Sequence, residues 1–312
     1  MWFDRDVQGA ADRQPQQLRL RVGELTLAAL AWGQADAPLA LCLHGYPDTP
    51  WTWRHLGPRL AERGWRVVAP YSRGYAPSDL APDGGYELGA LARDVVGLHR
   101  VLGGDGRAVL IGHDWGAATA YLVAAQHPEL FRRIVTLAVP PMHLLVSLAR
   151  RPSRLPRELP LLIRQLRRSW YMFFQLLPGI SERALPWLVP RLWQTWSPGY
   201  PAHEDARRAL AALEDPARRT AALRYYRALL LPWRRQAKYA EERSWLLKAP
   251  RTPLLYLHGA IDGCMNAEVA RRGADSLPAG SGFELIPEVG HFLHLEDLSR
   301  VEARIYAFFE AD

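Results

Sequence analysis

The sequence predicts an α/β fold: a mostly parallel central sheet with helices on both faces and an inserted helical cap. Three observations carry this expectation. Short apolar runs of strand type alternate with helical stretches from residue 18 onward. The alternation stops near Pro140, gives way to helical character over 142–248, and resumes at 249. A glycine-flanked pentapeptide, Gly112-His113-Asp114-Trp115-Gly116, joins one of these strands to one of these helices.

Taken in order, residues 18–32 (LRLRVGELTLAALAW) alternate apolar and polar positions around a Gly-Glu turn, which predicts a β-hairpin. LALCL at 39–43 is continuously apolar, as in a strand buried on both faces. A helix is expected near 51–63, a strand at 66–70, a helix at 86–102, a strand at 107–112 and a helix at 115–126. A strand at 134–139 closes the first half. The second half reads as strand 253–259, helix 265–277, strand 283–287 and helix 296–309. The expected division is an N-terminal extension over 1–17, a core over 18–141 and 249–312, and a helical cap or lid over 142–248.

The 312 residues are 49% hydrophobic and 23% charged, which fits a packed protein and excludes a wholly disordered one. No apolar run approaches the roughly 20 residues needed to span a bilayer, so no integral membrane segment is expected. Met1 to Gln17 is polar and lacks the apolar stretch of a secretory leader. The two cysteines, Cys42 and Cys264, cannot build a disulfide framework, and a reduced, cytoplasmic protein is expected, as monomer or homodimer. The net charge of +7 comes from arginine, because Lys238 and Lys248 are the only lysines. No nucleic-acid reading motif accompanies it, so the arginines are read as solvated helix faces or ion pairs and no nucleic-acid partner is expected.

In the pentapeptide, Asp114 stands at the centre of a G-x-nucleophile-x-G turn, where the following helix N-terminus directs N–H groups at the same point. A helix cap is the bland reading of such an aspartate. Asp262, in HGAIDGC, and His291, in EVGHFLHLE, each lie just beyond a strand. Nucleophile, acid, histidine is then the order along the chain. His44-Gly45-Tyr46-Pro47 follows the strand at 39–43, where a backbone N–H can serve an oxyanion.

These segments resemble the α/β-hydrolase superfamily, and within it the epoxide hydrolase and haloalkane dehalogenase branch. The resemblance covers nearly all of 18–310 and rests on HGYPDTPWTW, RGYAPSD, GHDWGA, LHGAIDG and GHFLHLE. It implies an α/β-hydrolase fold and oxyanion donors at the backbone N–H groups of Tyr46 and Trp115. Tyr71 departs from it, standing near where relatives usually carry an acidic residue; a change in local packing is expected there.

An aspartate is ionised near pH 7 and can displace at an sp³ carbon, leaving an alkyl ester. His291 would then activate water, with Asp262 orienting the imidazole. His294 is the rival base, expected at the start of the final helix, while His113 and His44 are read as hydrogen-bonding residues. Opening an epoxide creates an alkoxide that needs a proton, which tyrosine can supply. By resemblance, Tyr171 in SWYMFFQ and Tyr226 in LRYYRA fall on the positions of the two ring-opening tyrosines, with Tyr225 as the adjacent alternative to Tyr226. Ordinary aromatic packing is the competing account of both. His44, Pro47, Trp170 and Tyr225 are expected to border the substrate.

No organic cofactor is expected, and no metal, since no ligand cluster has suitable sequence spacing. The expected reaction is hydrolysis of a small apolar epoxide to a vicinal diol. Haloalkane dehalogenation with the same three residues is the alternative, although Tyr46 stands where haloalkane dehalogenases commonly carry Asn, and Trp115 where fluoroacetate dehalogenases usually carry Arg. A third reading places the Arg- and Leu-rich run from Leu144 to Arg168 on an anionic membrane surface, or makes the chain a binding protein on a hydrolase scaffold.

Overall fold

The computed structural model describes residues 14–141 and 155–311. The N-terminal extension up to residue 13 and the start of the Leu144 to Arg168 run lie outside the described residues.

Eight strands form one sheet: β1 (Gln16–Val22), β2 (Leu25–Trp32), β3 (Leu39–Leu43), β4 (Arg66–Pro70), β5 (Val109–His113), β6 (Arg133–Leu137), β7 (Leu254–Gly259) and β8 (Gly282–Ile286). Their order across the sheet is β1-β2-β4-β3-β5-β6-β7-β8. β2 pairs antiparallel with β1 and β4, and every later pairing is parallel. β3 and β5 are fully buried, which is why their sequences are apolar throughout instead of alternating.

Successive side chains of each strand feed opposite layers. On one side, Leu41, Leu43, Leu110 and Ile134 pack with α2 (Leu88–Val101) and α3 (Trp115–Gln126). On the other, Cys42, Val109, Ile111 and Val135 pack with α1 (Leu56–Glu62) and α12 (Leu298–Glu310). Among the described residues between β6 and β7, the α-helices are α4 (Leu155–Arg168), α5 (Trp170–Phe174), α6 (Ile180–Trp196), α7 (His203–Ala212), α8 (Pro216–Leu230) and α9 (Ala240–Trp245), and there is no strand. Two short helices complete the chain before α12: α10 (Ala267–Ala274) and α11 (Leu293–Glu296).

Most boundaries shift by up to three residues from the sequence expectation, β1 beginning at Gln16 inside the expected N-terminal extension, and two elements differ in kind. The helix expected near 51–63 is a 3-10 turn, Pro50–Trp53, followed by α1. Pro58 fits this start: it lies in the first turn of α1, where its missing N–H and its ring cost least. The helix expected at 296–309 is split at Asp297, whose carboxylate accepts from the N–H of Arg300 and caps α12.

The arginine excess is largely absorbed by ion pairs and carbonyls. Arg73 and Asp94 form a buried two-pronged pair at 2.6 Å, tying the loop after β4 to α2. Arg54–Asp205 and Arg243–Glu87 tie the inserted helices to the core, and Arg227–Glu182 joins α8 to α6. Asp94→Ala leaves the Arg73 guanidinium buried without its carboxylate, and about 3 kcal/mol of stability should be lost. Urea unfolding of the two proteins would measure it; a difference under half that would mean the pair is only a surface clasp.

Candidate active site

Asp114 closes β5 and opens α3 with φ +52°, in the left-handed region that few residues other than glycine adopt. The turn is held by its glycine neighbours. A Cβ on Gly116 would lie 2.3 Å from the Leu43 carbonyl oxygen, and one on Gly112 would lie 2.4 Å from the Gly116 oxygen. The cap reading of Asp114 is not observed, since its carboxylate makes no capping hydrogen bond to α3. It turns instead toward the loop after β3, where Oδ1 accepts the Tyr46 N–H at 2.7 Å. Trp115 opens α3, so its backbone N–H belongs to the first turn, which has no partner within the helix.

His291 Nε2 stands 3.6 Å from Asp114 Oδ2, and its Nδ1 donates to Asp262 Oδ2 at 2.8 Å. Asp262 Oδ1 accepts the N–H groups of Cys264 and Met265 at 2.6 and 2.9 Å. Burial alone would raise the Asp262 carboxyl, but His291 and these N–H groups outweigh it and hold it below its ordinary value. Burial likewise disfavours the His291 imidazolium, yet the carboxylates of Asp262 and Asp114 override this and push it up to about 10. Burial lowers the neighbouring His294 and His113. His294 bonds Thr52 Oγ1 at 2.6 Å and stacks on Trp53, away from Asp114. His113 bonds the His291 carbonyl at 3.0 Å.

A cavity of about 300 Å³ borders Asp114. Its wall is mainly apolar, with Leu161, Leu162, Met172 and Leu229 from the inserted helices and Trp115 from the core. Tyr171 and Tyr226 line it too, their rings edge to face at 5.7 Å. The Tyr171 hydroxyl lies 3.6 Å from Cys264 Sγ. That of Tyr226 has no hydrogen-bond partner among the described residues. Burial, with Cys264 or Asp114 nearby, raises both phenols well above their usual range and keeps them protonated.

The four residues expected to border the substrate lie elsewhere. His44 is a clamp, its Nδ1 donating to the Gly45 carbonyl and its Nε2 accepting the Ser72 N–H. The Pro47 carbonyl accepts from Trp193 Nε1 at 2.8 Å. The Tyr225 hydroxyl donates to the Arg73 carbonyl at 2.8 Å, and Trp170 faces outward. Adjacent helical residues point about 100° apart, and of the pairs Trp170/Tyr171 and Tyr225/Tyr226 the second member lines the cavity. Sequence reasoning also missed Cys264, two residues beyond Asp262, and Arg168, which donates to the Asp262 carbonyl.

Among the described residues, two triplets of ligand-type atoms converge within 4.8 Å: Asp262, Cys264 and His291, and Asp48, His113 and His294. The first is engaged in the bonds just described. The second joins the loop after β3, the end of β5 and α11, three segments far apart in sequence, which is why sequence spacing did not reveal it. Burial pushes Asp48 up to about 8 and His113 down to about 3, so this cluster is mostly neutral near pH 7.

A family profile described as the alpha/beta hydrolase fold matches residues 38–298. The AB hydrolase superfamily protein YfhM of Bacillus subtilis is 29% identical over 92% of this chain and 95% of its own length. Mouse epoxide hydrolase 4 is 27% identical over 95% of this chain and 79% of its own. A crystal structure of an epoxide hydrolase from Vigna radiata superposes with a TM-score of 0.73 at 22% identity, covering 95% of this chain and 98% of that one.

A histidine whose folded pKa of about 10 exceeds its unfolded value of about 6.5 adds stability below pH 6.5 and loses it as pH rises toward 10. Urea unfolding at pH 6 and pH 10 should therefore show a larger fall for the wild type than for His291→Gln. Equal falls would remove the charge from His291.

Proposed function

This chain belongs to the alpha/beta hydrolase fold family, is epoxide hydrolase-like within it, and we propose that it opens epoxides to vicinal diols through an ester on Asp114. The observation that carries the proposal is that Asp114, Tyr171 and Tyr226 border one largely apolar cavity. A carboxylate oxygen of Asp114 attacks an epoxide carbon, and the C–O bond to the ring oxygen breaks. The resulting alkoxide takes a proton from Tyr226 or Tyr171. Loss of a halide needs no such proton, so the dehalogenase alternative would leave both hydroxyls without a role.

The electrostatics then order the two steps. While Asp114 is ionised, it helps to hold His291 protonated. Esterification removes that negative charge, burial then favours the neutral imidazole, and the His291 proton passes to the tyrosinate. The base becomes available only once there is an ester to hydrolyse. Water attacks the ester carbonyl as His291 takes its proton. The oxyanion forms on the oxygen near the Tyr46 N–H, with the Trp115 N–H as second donor, each worth roughly 3–4 kcal/mol. Collapse frees the diol and restores the carboxylate beside a protonated His291, which is the resting state.

Removing the base should trap the ester. Intact-protein mass of His291→Gln after exposure to an epoxide should rise by the whole epoxide mass; a haloalkane adduct alone would establish dehalogenation instead, and no adduct from either would sink the nucleophile assignment. Tyr226→Phe should slow alkylation about 10²-fold, a general-acid effect, and the Tyr171→Phe/Tyr226→Phe pair should abolish it. Stopped-flow tryptophan fluorescence would read both, and an unchanged rate in the pair would remove the tyrosines from the scheme.

A further inference from the structure

Helix α4 is apolar on two sides. Its inner side faces the core: Leu161 is buried, Leu162 lines the cavity, and Gln165 bonds the Cys264 carbonyl and the Asn266 N–H. Its outer side carries Leu159, Ile163 and Leu166 at i, i+4 and i+7, and so on one face. The Ser169 N–H bonds the Gln165 carbonyl, so helical register continues into α5 and brings Trp170 and Phe173 in at the same spacing. Leu159, Leu166, Trp170 and Phe173 are 49%, 54%, 41% and 50% exposed. A row of this length and apolarity is uncommon on a free surface. The inner side already supplies the packing that the fold requires.

Two further observations select the occupant. Arg164 and Arg167 flank the row, exposed and without a carboxylate partner among the described residues. Two acids on the inserted helices are engaged with other arginines, Glu158 with Arg272 and Glu182 with Arg227. A second copy docking by the same face would set arginine against arginine, whereas an anionic bilayer surface attracts them. Leu and Trp/Phe with arginine at the edges is the pattern of a helix lying in the lipid interface. In addition, Leu166 and Phe173 are half exposed and also line the catalytic cavity, so the row is continuous with the rim.

We propose that the face formed by Leu159, Ile163, Leu166, Trp170 and Phe173 docks on an anionic lipid surface, from which the catalytic cavity draws a lipophilic epoxide. The docking half stands on the surface alone; the substrate half rests on the proposed hydrolase reading.

The test is flotation of the full chain with phosphatidylcholine vesicles, with and without phosphatidylglycerol. Binding is expected only with the anionic lipid and should weaken with salt. Leu159→Glu/Ile163→Glu, at positions outside the cavity wall, should lower it roughly tenfold or more. The same variant should keep wild-type turnover of a short water-soluble epoxide and lose turnover of a long-chain epoxide carried in the vesicles. Absence of vesicle binding by the wild type, or binding that this variant retains, would overturn the docking. A wild-type dimer that this variant dissociates would overturn it in favour of a second copy. Vesicle binding with no turnover of either epoxide would overturn the substrate half and the hydrolase reading together, while the docking stands.

Discussion

A carboxylate on a left-handed backbone position can be held between a buried strand and a buried helix only if nothing crowds the turn. That constraint governs the molecule. Asp114 sits at φ +52°, and the main chain of Leu43 approaches so close that position 116 has no room for a Cβ. Gly45 answers the same constraint across the gap, since a Cβ there would lie 2.3 Å from Asp114 Oδ1. Backbone strain of this kind persists only where surrounding structure over-determines it. Here β3, β5 and α3 do so, all of them buried and largely apolar.

The second organising feature is a line of charge inside this apolar frame. Two carboxylates flank one imidazole, and backbone N–H groups hold the outer oxygens of both. The set has little tolerance for an extra charge, so its neighbours are kept neutral: His113, His294 and Asp48 are pushed toward their uncharged forms. A change in the charge of Asp114 would therefore bear on His291, and the proposed order of steps rests on that coupling.

The inserted helices complete the cavity by dividing their aromatic residues between two tasks. Tyr171 and Tyr226 face the cavity, while their neighbours Trp170 and Tyr225 face solvent and the Arg73 carbonyl. The outer side of α4 then presents an apolar row that the core does not use, and the cavity rim shares two of its residues.

Much of this was legible in the residues alone, for a physical reason. Strand and helix periodicity and the glycine-flanked turn at Asp114 are local, set within a few residues along the chain. Asp262 and His291 could be placed because a parallel sheet delivers the ends of its strands to one edge. What lay beyond the sequence was rotational or three-bodied. Which of two adjacent tyrosines faces inward depends on how a helix is rolled against its neighbours. The 3-10 turn before α1 and the convergence of Asp48, His113 and His294 from a loop, a strand end and a short helix are likewise matters of packing. Composition and periodicity carry hydrophobicity along one dimension, whereas the roll of a helix and the meeting of distant segments are decided only when the chain packs.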